Sequence, residues 1–350
     1  MIKSKVSRLS IVFLSILFLS GCWDIKDINN RSLPLVLGIS KENGQEYKLT
    51  LQIPIPKSDN QISRTVTEKG KTVTNALGHI QTNSENAIDY SQVQLIVIQK
   101  NLAKNQQEFR DLIKFLMGSE DIPSRALVAI TDDNVENVLS NINNKLGVNA
   151  SAIYDYFNKG TAWAPELFST PIWEVYRSQF LSTKDIAVPA VRAGKDTVLV
   201  FEGSTILRQG QFIETIGPKD SQMINVFNNK DVKGYTENLG FASIMVTNSS
   251  IQSKIKMNNN KPYVTSDLRL KIHILERKQG ITNKKIYEKI ERLTERRFYN
   301  LLKKTQHSQS DIFGFGQQFQ HVISYHDLKD WRYKYYPDLK VDFKVHANLE

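Results

Sequence analysis

One cysteine occurs in 350 residues, so no disulfide can form within the chain and each domain must hold through its apolar core. No segment approaches the roughly eighteen unbroken apolar residues of a membrane-spanning helix. The formal charge of +10 is spread out, with no long run of like charges. For an exported chain that pattern argues against nucleic acid and leaves an anionic membrane surface or an acidic partner. Catalytic signatures are missing too: there is no P-loop, nucleophile elbow or HExxH run. His321 and His326 fall outside the i,i+3 or i,i+4 spacing of a helical metal pair, and no cysteine is at hand to join them. Gly314-Phe315-Gly316 begins like a dinucleotide fingerprint, but Phe319 occupies the third glycine position and a helix, not a strand, precedes it. Paired acids such as Glu120/Asp121 and Asp132/Asp133 stand at helix ends, where caps and termini explain them. Neither a metal nor a cofactor is expected, and the chain does not read as an enzyme.

What is present starts at the N-terminus. Lys3, Lys5 and Arg8 precede an apolar stretch, Ile11 to Leu19, that is too short to cross a bilayer and reads as an export signal. It ends in Leu19-Ser20-Gly21-Cys22. A small residue before a lone cysteine is where bacteria attach diacylglycerol and then cut, which makes Gly21 and Cys22 the cleavage site and Cys22 the lipidated N-terminus. Two acyl chains give stable anchoring where one is marginal. The plainer alternative is an ordinary signal whose cleavage site holds a cysteine. Almost no linker follows, so the body is expected close to the bilayer.

Periodicity predicts a mixed α/β chain, α+β in its later parts. Tyr47, Leu49, Leu51 and Ile53 alternate with polar residues as a half-buried strand after the Asn43-Gly44 turn, and residues 57–71 read as a loop. Apolar runs at 93–98 and 126–130 alternate with helical patterns over 109–116 and 135–139, capped by Asp132 or Asp133, a βαβ-like arrangement. Residues 186–191, with Pro189, suggest an edge strand or an exit segment, and strands at 197–201, 204–207 and 211–216 are parted by Gly203 and Gly210. A hairpin over 251–274 precedes a long helix from Asn283 to Gln306 and a closing strand at 339–345. The helix turns Ile286, Ile290 and Phe298 inward; Glu291, Glu295 and their basic neighbours read as a solvated face. The expected division is a signal peptide at 1–21, an α/β domain with a mixed sheet at 22–195, a small α+β domain at 196–238, and an α+β domain of antiparallel strands and one long helix at 239–350.

Three segments resemble the Ger(x)C family of spore germination lipoproteins: Cys22-Trp23-Asp24 with Asp27-Ile28; Gln306 with Asp311-Ile312-Phe313-Gly314-Phe315-Gly316; and Trp331 with Tyr336-Pro337-Asp338 before the last strand. Gly38-Ile39-Ser40 departs from the family's Gly-Ile-Asp at the acid. The resemblance implies three mixed α/β domains and a non-enzymatic, lipid-anchored subunit of a nutrient germinant receptor. Its implied partners are integral-membrane receptor subunits and, through Cys22, the bilayer; its implied place is the outer face of the spore inner membrane. Trp23 is either an interfacial anchor or a plug of the first domain, with Asp24 beside it in the motif. Asp311 to Gly316 is either a partner loop presenting Phe313 and Phe315 or a tight turn with both rings packed and Asp311 capping. The rival reading is a solute-binding lipoprotein of a transporter, which requires two similar lobes around a cleft.

Overall fold

The computed structural model describes residues 30–42, 45–55, 62–146, 152–157, 164–167, 169–228 and 232–350. Gly21, Cys22, Trp23 and Asp24, and the turn at Asn43-Gly44, lie outside the described residues. Strands β1 (Val36–Glu42), β2 (Glu46–Ile55) and β3 (Ile62–Gly70) open the chain, and helix α1 (Val73–Asn83) follows. Then come β4 (Leu95–Gln99), α2 (Gln106–Gly118), β5 (Leu127–Thr131), α3 (Val135–Leu146) and α4 (Ile172–Ser178). Strands β6 (Ile186–Ala193), β7 (Leu199–Arg208) and β8 (Gln211–Ile216) precede α5 (Pro218–Phe227). The remainder is β9 (Tyr235–Asn238), β10 (Ala242–Asn258), β11 (Lys261–Arg277), α6 (Asn283–His307) and β12 (Lys340–Leu349).

Eight strands form one mixed sheet in the order β8-β7-β6-β5-β4-β1-β2-β3. Its centre is parallel, β1 with β4 and β4 with β5, because helical crossovers return the chain to the same end. Both faces of that centre are covered. Ile96 and Ile98 pack with Phe109 and Leu112 of α2 and Ile80 of α1, whereas Leu95 and Val97 pack with Val138, Leu139 and Ile142 of α3. Such two-sided burial produces the continuous apolar runs of β4 and β5 in place of alternation. Gly38 in β1 admits α3 closely: a Cβ there would stand 2.4 Å from Val135 Cγ1.

Several sequence expectations change. Residues 62–70, expected in a loop, pair with β2 from Ile55↔Ile62 to Tyr47↔Gly70 as the sheet's edge strand. The segment is polar because only one face packs, and its Thr-Val-Thr core suits a strand. Strand β6 is interior, not an edge. Pro189 is tolerated because the pairing of β5 with β6 is reduced to Ile130↔Ala190. Gly203 does not separate two strands but bends one, at φ +126°, opposite an irregularity at Ala190/Val191. Asn134, not Asp132 or Asp133, caps α3, accepting from the Glu136 and Asn137 amides; Asp133 accepts the Ala193 amide. The sheet also continues past residue 195, since β7 pairs with β6 from Ile186↔Leu207 to Ala193↔Leu199.

A second sheet has the order β9-β10-β11-β12. Its long hairpin turns at Asn259 and Asn260, both at positive φ, the conformation of a two-residue turn that asparagine accepts. The last strand lies parallel to β11, from Tyr263↔Lys340 to Ile272↔Leu349. Helix α6, capped by Thr282 through the Lys285 amide, covers one face of this sheet with Ile286, Ile290 and Phe298. Residues 32–350 form one compact unit.

Candidate functional site

The loop after α6 carries the densest set of buried polar groups. Gln306, in the last turn of the helix, donates its amide to the Tyr336 and Leu339 carbonyls at 3.0 and 2.8 Å. Thr305 Oγ1 lies 2.8 Å from the Tyr336 hydroxyl. The helix end therefore holds the segment that leads into β12. Beyond it the chain turns sharply, and Gly314 takes the left-handed conformation at φ +71°.

Asp311, fully buried, organises that turn. One carboxylate oxygen accepts the Phe315 amide at 3.1 Å; the other accepts the Gly316 amide at 2.8 Å and the Trp331 indole at 2.9 Å. Three donors fill three of the roughly four acceptor positions of a carboxylate. Gly316 is required by proximity: a Cβ would sit 2.6 Å from Trp331 Nε1 and 2.8 Å from the Thr183 carbonyl. The rings of Phe313 and Phe315 are buried, not presented at the surface, so the turn offers no exposed aromatic anchor. They join Phe227, Phe298 and Phe343 in an aromatic cluster with neighbouring centroids 4.3 to 5.6 Å apart. Such pairs contribute about 0.5–1.5 kcal/mol each beyond their burial.

The turn is also bonded to the large sheet. Asp185, just before β6, donates its amide to the Asp311 carbonyl at 2.8 Å, and its carboxylate accepts the Asp311 amide at 2.9 Å. Arg332 closes the junction. Its Nε and a terminal nitrogen donate to the two Asp185 oxygens at 3.1 and 2.6 Å, and the same terminal nitrogen reaches the Leu181 carbonyl at 2.6 Å. Burial pushes the Asp185 carboxyl upward, opposed by the Arg332 bonds. Burial likewise lifts Asp311 to about 6 against its three donors. Beside the junction a cavity of about 180 Å³ is lined by Thr170, Glu174, Lys184 and Asn228 among others. The Lys184 amine, its pKa lowered by burial, donates to Asn228 Oδ1 at 2.8 Å.

This arrangement has the chemistry of a clasp: opposite charges satisfied by each other and by backbone groups. Among the described residues no group of His, Cys, Asp and Glu is placed to hold a metal, and no helix is long and apolar enough to cross a membrane. The structure brings Asp311, Phe313, Gly314, Phe315 and Gly316 together with Trp331. Sequence reasoning missed Asp185 and Arg332. Arg332 adjoins a motif tryptophan, but nothing local marks Asp185, which precedes an apolar strand as loop residues commonly do.

Two family models place the chain in the class of spore germination proteins. A family model described as the spore germination protein N-terminal domain matches residues 24–193, and one described as spore germination B3/GerAC like, C-terminal, matches residues 202–350. The chain belongs to the Ger(x)C family. In Bacillus subtilis (strain 168) it is similar to spore germination protein A3, 26% identical over 234 residues, which cover 63% of this chain and 60% of that protein. It is 33% identical to spore germination protein B3 over 129 residues, 35% of this chain and 34% of that protein. Similarity to spore germination protein KC is 21% but spans 97% of this chain and 94% of that protein. The alignments to the first two relatives thus span under two thirds of their length. The crystal structure of the GerBC protein shares the fold, with a TM-score of 0.54 and 14% identity over 89% of this chain and 96% of that chain.

Proposed function

We propose that this chain is the lipid-anchored subunit of a nutrient germinant receptor, required for spore germination and performing no chemistry of its own. The observation that carries the proposal is the match of family models to residues 24–193 and 202–350 directly behind the lone Cys22. In this reading the chain is cut between Gly21 and Cys22. Two acyl chains on Cys22 hold the body at the outer face of the spore inner membrane. Tethering raises the effective concentration of its surfaces next to integral-membrane receptor subunits, so weak contacts suffice for docking. The Asp311–Gly316 turn would act as structure, by joining the two sheets.

The test is germination of spores carrying Cys22→Ala against a panel of nutrients, with membrane association of the protein measured alongside. Loss of anchoring together with loss of response to particular nutrients is the expected result. A protein released from the membrane with every nutrient response intact, in a strain lacking duplicate receptors, would sink the proposal.

A further inference from the structure

The second sheet has one face under α6 and the other in water, and the register shows what the open face carries. On β11 the inward residues Val264, Ser266, Leu268, Leu270 and Ile272 are buried. The residues between them point outward. Pairing aligns Lys256 and Lys340 on either side of Tyr263, Lys254 opposite Thr265, and Lys344 opposite Asp267, with Arg269 and Lys271 farther along. The acids on this face are Asp267 and Asp342. Asp342 lies 3.7 Å from Lys344, and Asp267 lies 3.7 Å from the His346 ring. Six permanent cations therefore face two carboxylates across a surface roughly 25 Å long, given ~3.3 Å per strand residue.

We propose that this open face is a docking surface for an anionic phospholipid bilayer. The occupant follows from what the face carries and what it omits. Protein interfaces are centred on buried apolar or aromatic anchors and are depleted in lysine. Here lysine predominates. Tyr263, the ring among these cations, is only half-buried and already lies under the Lys256 ammonium, 4.6 Å from its centroid. A flat array of flexible ammonium groups suits a diffuse layer of headgroup phosphates, each lysine gaining about 1 kcal/mol near such a surface, or roughly fivefold in partitioning. The sheet also holds the array in fixed register, so its charges reach the headgroups together. The inference does not depend on acylation of Cys22.

The test uses the full chain with vesicles of phosphatidylcholine alone, or with a third phosphatidylglycerol, at low and high salt. One variant reverses the sheet face (Lys254→Glu, Lys271→Glu and Lys344→Glu). A second makes the same change in net charge on the exposed side of α6 (Lys284→Glu, Lys289→Glu and Arg296→Glu). All six side chains are exposed, and far-ultraviolet circular dichroism checks that both variants fold. Contributions from the N-terminal segment, including the anionic preference of Lys3, Lys5 and Arg8, are common to all three proteins and cancel when the two variants are compared. The expected result is a salt-sensitive preference of the parent for anionic vesicles that falls at least about tenfold in the sheet variant and much less in the helix variant. Equal losses in the two variants, or no preference in the parent, would overturn the proposal. So would binding of an acidic protein by this face without any preference for anionic vesicles.

Discussion

Asp185 and Arg332, 147 positions apart in the chain, form a two-pronged ion pair at 2.6 and 3.1 Å with almost no access to water. Removing one member leaves the other charged and unpaired, which typically costs 3–5 kcal/mol. Asp185→Ala and Arg332→Ala are each expected to destabilise the protein by about that amount in urea unfolding. Replacing both together, Asp185→Leu with Arg332→Met, should recover a large part of the loss. Arg332→Lys should not, because an ammonium cannot serve both oxygens and the Leu181 carbonyl in the same geometry. Additive single and double losses would show that the pair is not coupled.

Asp311 gives this region a pH signature. Its carboxyl is raised from 3.8 to about 6, chiefly by burial. An acid raised in the folded state contributes stability that is complete below the unfolded value and is lost as pH rises through the folded one. Asp185 moves in the same direction, so the comparison must isolate Asp311. Asp311→Asn cannot titrate, and its amide cannot accept from all three donors, so it should be less stable throughout. The advantage of the parent over this variant should shrink by on the order of 3 kcal/mol between about pH 4 and about pH 7.5. Urea midpoints across that range measure it, and an advantage that grows with pH would contradict the assignment.

Two glycines make opposite predictions. Gly316→Ala drives a methyl group against Trp331 Nε1 and the Thr183 backbone and should cost about 1–3 kcal/mol. Gly78, in the middle of α1, has nothing within 4 Å of where its Cβ would lie. Gly78→Ala should therefore stabilise the protein by about 0.5–1 kcal/mol through helix propensity. Thermal unfolding of the two variants separates close approach from chance placement of glycine.

The central strands and principal helices were legible in the sequence because they are buried strongly and periodically. Strands β4 and β5 lie between two helical layers, and α6 shows its inward stripe over seven turns. Strand β3 was not legible, since an edge strand packing on one side carries too little apolar signal to stand out from a loop. The interior position of β6 was hidden by Pro189, whose exclusion from central strands fails where ladder pairing lapses. At the junction, Asp311, Gly314 and Gly316 stood out as a motif, yet their roles depend on Thr183, Lys184 and Asp185, far away in the chain. Spacing cannot report such contacts. The parallel placement of β12 was equally invisible, because nothing in a single strand states the direction of its neighbour.

The same blindness to long-range partners affected the outer face of α6. Glu291 and Glu295 read as solvated acids, but they face the open edge of β12. Glu295 Oε1 accepts the Val345 amide at 3.2 Å, Glu291 Oε1 accepts the Ala347 amide at 2.8 Å, and the Tyr299 hydroxyl accepts the Phe343 amide at 3.0 Å. Helical i,i+4 spacing thus supplies acceptors to alternate amides of an edge strand, much as a neighbouring strand would. Edges left unpaired invite association with other chains. Glu291→Ala and Glu295→Ala should each cost about 1 kcal/mol, and the double variant should self-associate as concentration rises. Glu291→Gln with Glu295→Gln keeps an acceptor at each position and should stay monodisperse. Light scattering over a concentration series checks both; a double alanine variant indistinguishable from the parent would mean that water satisfies these amides equally well.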